Sequence, residues 1–244
     1  MRNVVVTGAS RGLGLAIASA LAAGGDRVIA IARSHTDAFG AAAEVAAAAG
    51  QGSMHFQAFD LNDTRGIGEL VASLRKQYGA IYGLVNNAGI GTSGMLATMR
   101  DDQIEALVHL NTVAPIVLSR YALRSMMVER AGRIVNVSSI VAATGYSGLS
   151  VYAATKASLV GFTRSLAREV GQLGITINAV APSFIDTEMT QEMSEEQRAK
   201  IARRSALQRL PEPVDVAAAV EFLLSDKARN ITGVTLTVDA GNTA

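Results

Sequence analysis

The sequence predicts a single-domain α/β fold, a doubly wound parallel sheet of about seven strands with helices on both faces. Three observations carry that prediction. Seven short β-branched or apolar runs alternate with longer stretches of helical spacing. A glycine-rich turn follows directly on the first run. The 244 residues, 49% hydrophobic and 18% charged, suffice for one large core, and no Pro-, Gly- or Ser-rich linker divides them, so residues 1–244 are read as one domain.

The first strand is predicted at residues 4–6, three consecutive valines, as expected where both faces of a parallel sheet are covered. A helix follows at 14–23, then a strand at 28–32. The Ala-rich stretch 38–49 reads as helix because alanine has the highest helix propensity. A strand at 55–59, a helix at 64–78 and a strand at 81–85 complete the first half. The longest predicted helix covers 101–130, and strands at 133–137 and 176–180 bracket another at 150–171. The polar segment 188–209, helical in pattern and rich in Met and Gln, reads either as a flap over a substrate or as a solvated helix pair. The last strand is predicted at 235–238.

Charge and composition exclude several functions. A net charge of +1 with scattered basic residues supplies no field for nucleic acid or an anionic membrane. Cysteine is absent, and His35, His55 and His109 lack ligand spacing, so no metal site is expected. The first residues lack a charged leader followed by an apolar stretch, and no eighteen apolar residues run uninterrupted. A cytoplasmic location is expected.

Thr7-Gly8-Ala9-Ser10-Arg11-Gly12-Leu13-Gly14 links the first strand to the first helix. Glycine tolerates positive φ and lets backbone approach a pyrophosphate, while a helix N-terminus supplies free N–H groups and positive dipole. A nucleotide site at Gly8, Ser10, Arg11, Gly12, Leu13 and Gly14 is the expectation. The order Gly-x-x-x-Gly-x-Gly resembles the signature of the short-chain dehydrogenase/reductase family. The resemblance continues through Asn86-Asn87-Ala88-Gly89, Asn111, Ser139 and Tyr152-x-x-x-Lys156, and so spans nearly the whole chain. It implies a Rossmann-type fold and a nicotinamide cofactor.

An NAD-preferring loop places an acid at the end of the second strand, where it meets the adenosine ribose. Here that strand ends Ala32-Arg33-Ser34, and Arg33 together with Arg11 offers guanidinium groups for a 2′-phosphate, which selects NADP, as NADPH. The resemblance further implies that Asp60 and Leu61 flank the adenine. It places Asn87, Ala88 and Gly89 along the adenosine and ribose, and Pro182, Ile185 and Thr187 on the nicotinamide side. Ser183 replaces the family's usual glycine.

Tyr152 and Lys156 stand four apart in a predicted helix and leave one face. A phenol titrates near pH 10, and a neighbouring ammonium would lower that value. In the family the tyrosine protonates the carbonyl oxygen, the lysine also holds the nicotinamide ribose, a serine binds the substrate oxygen and an asparagine supports a water relay. The resemblance assigns these roles to Tyr152, Lys156, Ser139 and Asn111. Ser138 competes with Ser139, and the thirteen-residue step to Tyr152 favours Ser139. Tyr146 is either a loop residue near the substrate or a plain surface tyrosine.

Within the family the nearest likeness is to bacterial 3-oxoacyl-acyl-carrier-protein reductases. It implies an NADPH-dependent carbonyl reductase acting on a 3-oxoacyl thioester, with acyl-carrier protein as a candidate partner. Arg130 matches one of the two arginines such enzymes present, but Leu173 stands in place of the other, and the final Asp239-Ala240-Gly241 differs from the usual Asp-Gly-Gly. A dehydrogenase of a small alcohol, sugar or other ketone is the alternative. A non-catalytic NADP sensor is disfavoured because Tyr152 and Lys156 are both kept. Apolar residues on several stripes of 101–130 and 150–171, with the resemblance, imply a homotetramer.

Overall fold

The structure is a computed structural model that describes residues 1–185 and 195–244. Seven strands form one parallel sheet in the order β3-β2-β1-β4-β5-β6-β7: β1 Asn3–Thr7, β2 Arg27–Ala32, β3 Ser53–Ala58, β4 Ile81–Asn86, β5 Gly132–Val137, β6 Ile175–Pro182 and β7 Thr235–Val238. Each lies within two residues of its predicted bounds. The helices are α1 Gly12–Ala23, α2 Asp37–Ala49, α3 Ile67–Tyr78, α4 Asp101–Val108, α5 Ala114–Glu129, α6 Val141–Thr144, α7 Ser150–Val170, α8 Glu195–Arg204 and α9 Pro213–Leu224.

Alternation along the strands builds two cores. Val4 and Val6 of β1, Val28 and Ala30 of β2 face one side, where Ile17 and Leu21 of α1 and Val216 and Val220 of α9 cover them. Val5 and Ile29 face the other, against Leu70 and Leu74 of α3, Leu118 of α5 and Leu166 of α7. Successive side chains of a strand leave opposite faces, so strands covered on both sides need apolar residues at consecutive positions, as the central β1 and β2 have.

Two departures from the sequence reading matter. The predicted helix 101–130 is two helices joined by a π-helical turn, His109–Val113, and extra residues of this kind are frequent at functional sites. The stretch Asp101–Glu129 is long and apolar enough by composition to cross a membrane, yet 44% of its most apolar window is buried in this fold. The second departure is α9, which no sequence expectation covered although Pro213 and the apolar spacing of Val216, Val220 and Leu224 signal it.

The order of β1 and β4 positions the site. The chain winds outward from β1 to β3, returns through α3 and winds the other way from β4, leaving a crevice at the carboxyl ends of β1 and β4. Ligands of open parallel sheets bind at such a reversal. The glycine loop and the Asn87-Ala88-Gly89 segment both emerge there.

Candidate active site

The glycine loop is tied to both neighbouring strands. The Thr7 hydroxyl donates to the Val85 carbonyl at 3.2 Å and accepts from the amides of Asn87 and Ala88 at 3.0 and 2.9 Å. In return the Asn87 side chain donates to the Thr7 and Gly8 carbonyls at 2.9 and 3.3 Å. Gly8 and Gly12 have φ of +64° and +55°, the left-handed region where a Cβ is disfavoured. A Cβ on Gly14 would lie 2.1 Å from the Gly8 carbonyl oxygen, so only glycine lets α1 start so close to the loop.

Arg11, at the N-cap of α1, contributes no side-chain cap, which leaves the first-turn amides to other acceptors. Leu13 is half-buried against the core, and Ser10 accepts from the Thr36 hydroxyl through its carbonyl. Thr36, which also caps α2 by accepting from Phe39 N–H, went unnoticed in the sequence reading. Arg11 and Arg33 are exposed, the latter directly after β2. Asp60 is exposed beyond β3 and Leu61 is buried beside it. The residues fit a dinucleotide: the loop is a backbone cradle that side chains would fill, opening on a helix N-terminus.

The second group gathers around α7. Lys156 is buried, and its Nζ donates to the Val137 carbonyl at 2.9 Å. A Cβ on Gly89 would stand 3.0 Å from Asn111 Oδ1 and 3.5 Å from Lys156 Nζ, so the Asn87-Ala88-Gly89 segment, Asn111 and Lys156 meet at one point. Asn111 Nδ2 donates to the Ile90 carbonyl at 2.9 Å and to Thr155 Oγ1 at 3.2 Å. Thr155, a second residue the sequence reading missed, donates its own hydroxyl hydrogen bond to the Tyr152 carbonyl at 2.7 Å.

The two serines diverge. Ser138 is buried and donates to the Lys156 carbonyl at 2.9 Å, tying α7 to the end of β5. The Ser139 hydroxyl instead donates to the Pro182 carbonyl at 3.5 Å and lies beside the Tyr152 phenol, whose pKa it pulls down. Ile185 is buried beyond Pro182. Thr187 lies outside the described residues. Ser183 does not adopt positive φ, so serine stands without strain where glycine is usual.

The electrostatics correct one expectation. Burial pushes the Tyr152 phenol above its ordinary value, opposed by the hydrogen bond with Ser139, and no lowering by Lys156 emerges. The lysine lies over the face of the ring, 5.6 Å from its centroid, and points its charge at Val137 rather than at the phenol oxygen. Burial also pushes Lys156 down to about 8. A protonated phenol beside a serine hydroxyl is a proton donor for an oxygen gaining negative charge.

The profile of the short chain dehydrogenase family matches residues 2–198. The 3-oxoacyl-[acyl-carrier-protein] reductase FabG of Salmonella typhimurium is 42% identical over 97% of this chain and 95% of its own, and that of Escherichia coli 43% identical over the same shares. Among solved structures, a candidate gluconate dehydrogenase from Agrobacterium tumefaciens superposes with a TM-score of 0.93 at 27% identity, covering 99% of this chain and 95% of its own. A candidate short-chain alcohol dehydrogenase from Sinorhizobium meliloti gives 0.92 at 29% identity, over 99% and 96%. Carrying the glycine loop, the Ser139–Tyr152 pair and the buried Lys156 on this sheet, the chain belongs to the short-chain dehydrogenase family, whose members are oxidoreductases acting between alcohols and carbonyls.

Proposed function

We propose that the protein is an NADPH-dependent reductase of 3-oxoacyl thioesters, working as one domain of residues 1–244. The observation that carries the reading is the Ser139–Tyr152 hydroxyl pair one helical turn from buried Lys156. Likeness over 97% of the chain to reductases named for 3-oxoacyl-acyl-carrier protein supports the substrate class.

NADPH, when bound, supplies the hydride. Gly8, Ser10, Gly12, Leu13 and Gly14 would cradle its pyrophosphate, Arg11 and Arg33 its 2′-phosphate. Asp60 and Leu61 would flank the adenine, Asn87, Ala88 and Gly89 the ribose side, and Pro182, Ile185 and Thr187 the nicotinamide. Ser139 orients the substrate carbonyl and Tyr152 gives its proton to the oxygen. Lys156 holds positive charge beneath the tyrosine and would hold the nicotinamide ribose, while Asn111 fixes the turn beside it.

Acyl-carrier protein is the proposed carrier of the thioester. Arg130 is exposed and donates to the Gln172 carbonyl at 3.2 Å, which leaves its charge at the surface beside Leu173. A homotetramer in the cytoplasm completes the reading. Val108, Val113 and Ile116 are exposed along the α4–α5 rod, and Leu236 on the edge strand β7, the apolar surfaces a second copy would cover.

The test follows absorbance at 340 nm as NADPH meets acetoacetyl thioesters of coenzyme A and of acyl-carrier protein, beside small ketones and polyols. Turnover of the thioesters, faster on the carrier protein, is expected. Turnover of a polyol alone would overturn the substrate class, and nucleotide binding without any turnover would make the protein a sensor. Light scattering that finds a monomer at micromolar concentration would overturn the assembly.

A further inference from the structure

The π-turn His109–Val113 touches the crevice at two places. Asn111 faces the Lys156 side, bonded to Ile90 and Thr155. His109, two residues earlier, reaches the other way, and its Nε2 lies 3.0 Å from the Asn62 carbonyl. Asn62 belongs to the loop after β3 that carries Asp60 and Leu61. Its backbone N–H and its side-chain amide both donate to Asp60 Oδ1, each at 3.0 Å.

This loop is exposed at Asp60, Asn62 and Asp63, and only Leu61 enters the core. Its start is tied to β2 by Phe59 N–H to the Ala32 carbonyl at 2.9 Å, and its other ties are local: Asp63 N–H to the Asp60 carbonyl at 2.9 Å and Gly66 N–H to Asp63 Oδ1 at 3.0 Å. Beyond Asp60, at Asn62, the imidazole of His109 is thus the bond by which a distant element holds the loop. A carbonyl only accepts, so Nε2 donates. Both the imidazolium and one neutral tautomer carry that proton, and the contact therefore does not depend on the ring's charge.

We propose that His109 is a positioning residue for the adenine end of the dinucleotide. It acts through Asn62 to hold Asp60 and Leu61 at the adenine wall, while Asn111 of the same turn holds the nicotinamide end. One irregular turn then sets the separation of the two walls. The proposal rests on the NADPH reading and refines how its adenine half is held.

The experiment titrates the full-length protein with adenosine 2′,5′-bisphosphate, the adenine half of NADPH, by calorimetry, and measures steady-state reduction of an acetoacetyl thioester. His109→Leu removes the donor, and His109→Gln keeps an N–H of similar reach. Loss of one such bond to an exposed loop corresponds to about a fivefold to tenfold change. His109→Leu is expected to weaken bisphosphate binding and raise KM for NADPH by that factor, with kcat at saturating NADPH and KM for the thioester held, and His109→Gln to restore both. Should the leucine variant fail to fold, His109→Asn, whose amide is too short for the contact, takes its place. Unchanged bisphosphate affinity in the folded leucine or asparagine variant overturns the proposal, as does a glutamine variant no better than leucine. Wild-type protein that binds neither nucleotide overturns the cofactor reading itself, which separates the two failures.

Discussion

Asn111 and Ile90 are paired in both directions: Oδ1 of the asparagine accepts from the Ile90 N–H, and its Nδ2 donates to the Ile90 carbonyl, each at 2.9 Å. A side-chain amide here takes the place of a neighbouring strand for one residue of the loop after β4. The π-turn makes this possible by offsetting Asn111 from the helical ladder. Asn111→Ala leaves both groups of Ile90 without this partner, so stability should fall by about 1–3 kcal/mol. Urea unfolding with an unchanged slope and a lower midpoint checks it, and an unshifted midpoint would refute the pairing.

Ser138 and Ser139 should separate stability from turnover. Ser138→Ala removes a buried bond to the Lys156 carbonyl, expected to cost about 1 kcal/mol while kcat survives. Ser139→Ala removes the partner of Tyr152 with little loss of stability, and its kcat should fall by roughly two orders of magnitude, as for loss of one donor to a developing oxyanion. Equal effects of the two substitutions on kcat would undo the distinction.

Strand positions were legible because short β-branched or apolar runs alternate with stretches of helical spacing, and the central runs at 4–6 and 28–32 are apolar on both faces, as strands covered on both sides require. Gly8, Gly12 and Gly14 were legible because backbone geometry forbids substitutes, as the 2.1 Å approach to Gly14 illustrates. The π-turn was not, since Leu107, Leu110, Ala114 and Leu118 satisfy helical spacing through it and nothing local marks the inserted residue. The choice between Ser138 and Ser139 was also beyond periodicity. Adjacent residues after a strand face opposite ways, and which one meets Tyr152 depends on how α7 packs. Thr36 and His109 act through backbone carbonyls of distant segments, and Thr155 accepts from the Asn111 side chain of another helix, relations that no sequence spacing encodes.

Arg33 tests the cofactor. It is exposed directly after β2, where a carboxylate would select NAD. Arg33→Asp should weaken NADPH by about 1.5–3 kcal/mol, the range for a charge-assisted bond, and leave NADH unaffected or improved. Fluorescence titration with both nucleotides measures it. Wild-type protein that prefers NADH would refute the assignment.

Lys156 gives a pH dependence with a definite sign. Burial lowers its pKa to about 8 in the folded protein, against about 10.4 for an unperturbed lysine. Between those values the unfolded chain holds a proton that the folded chain has released, so stability contributed by this group rises with pH across that window. Below it the cost of burying the charge is fully present, on the order of 3 kcal/mol. Lys156→Met keeps the volume and removes the charge, so it should abolish turnover while escaping that cost. The Val137 carbonyl loses its lysine partner, an offset of about 1–3 kcal/mol that does not vary with pH. The stability of the variant relative to wild type is therefore expected to be highest near pH 7 and to decline by about 3 kcal/mol toward pH 10.4. Urea midpoints of both proteins across this range decide it. A difference that stays constant with pH would mean that Lys156 keeps its ordinary proton affinity, and the buried ammonium beneath Tyr152 would have to be abandoned.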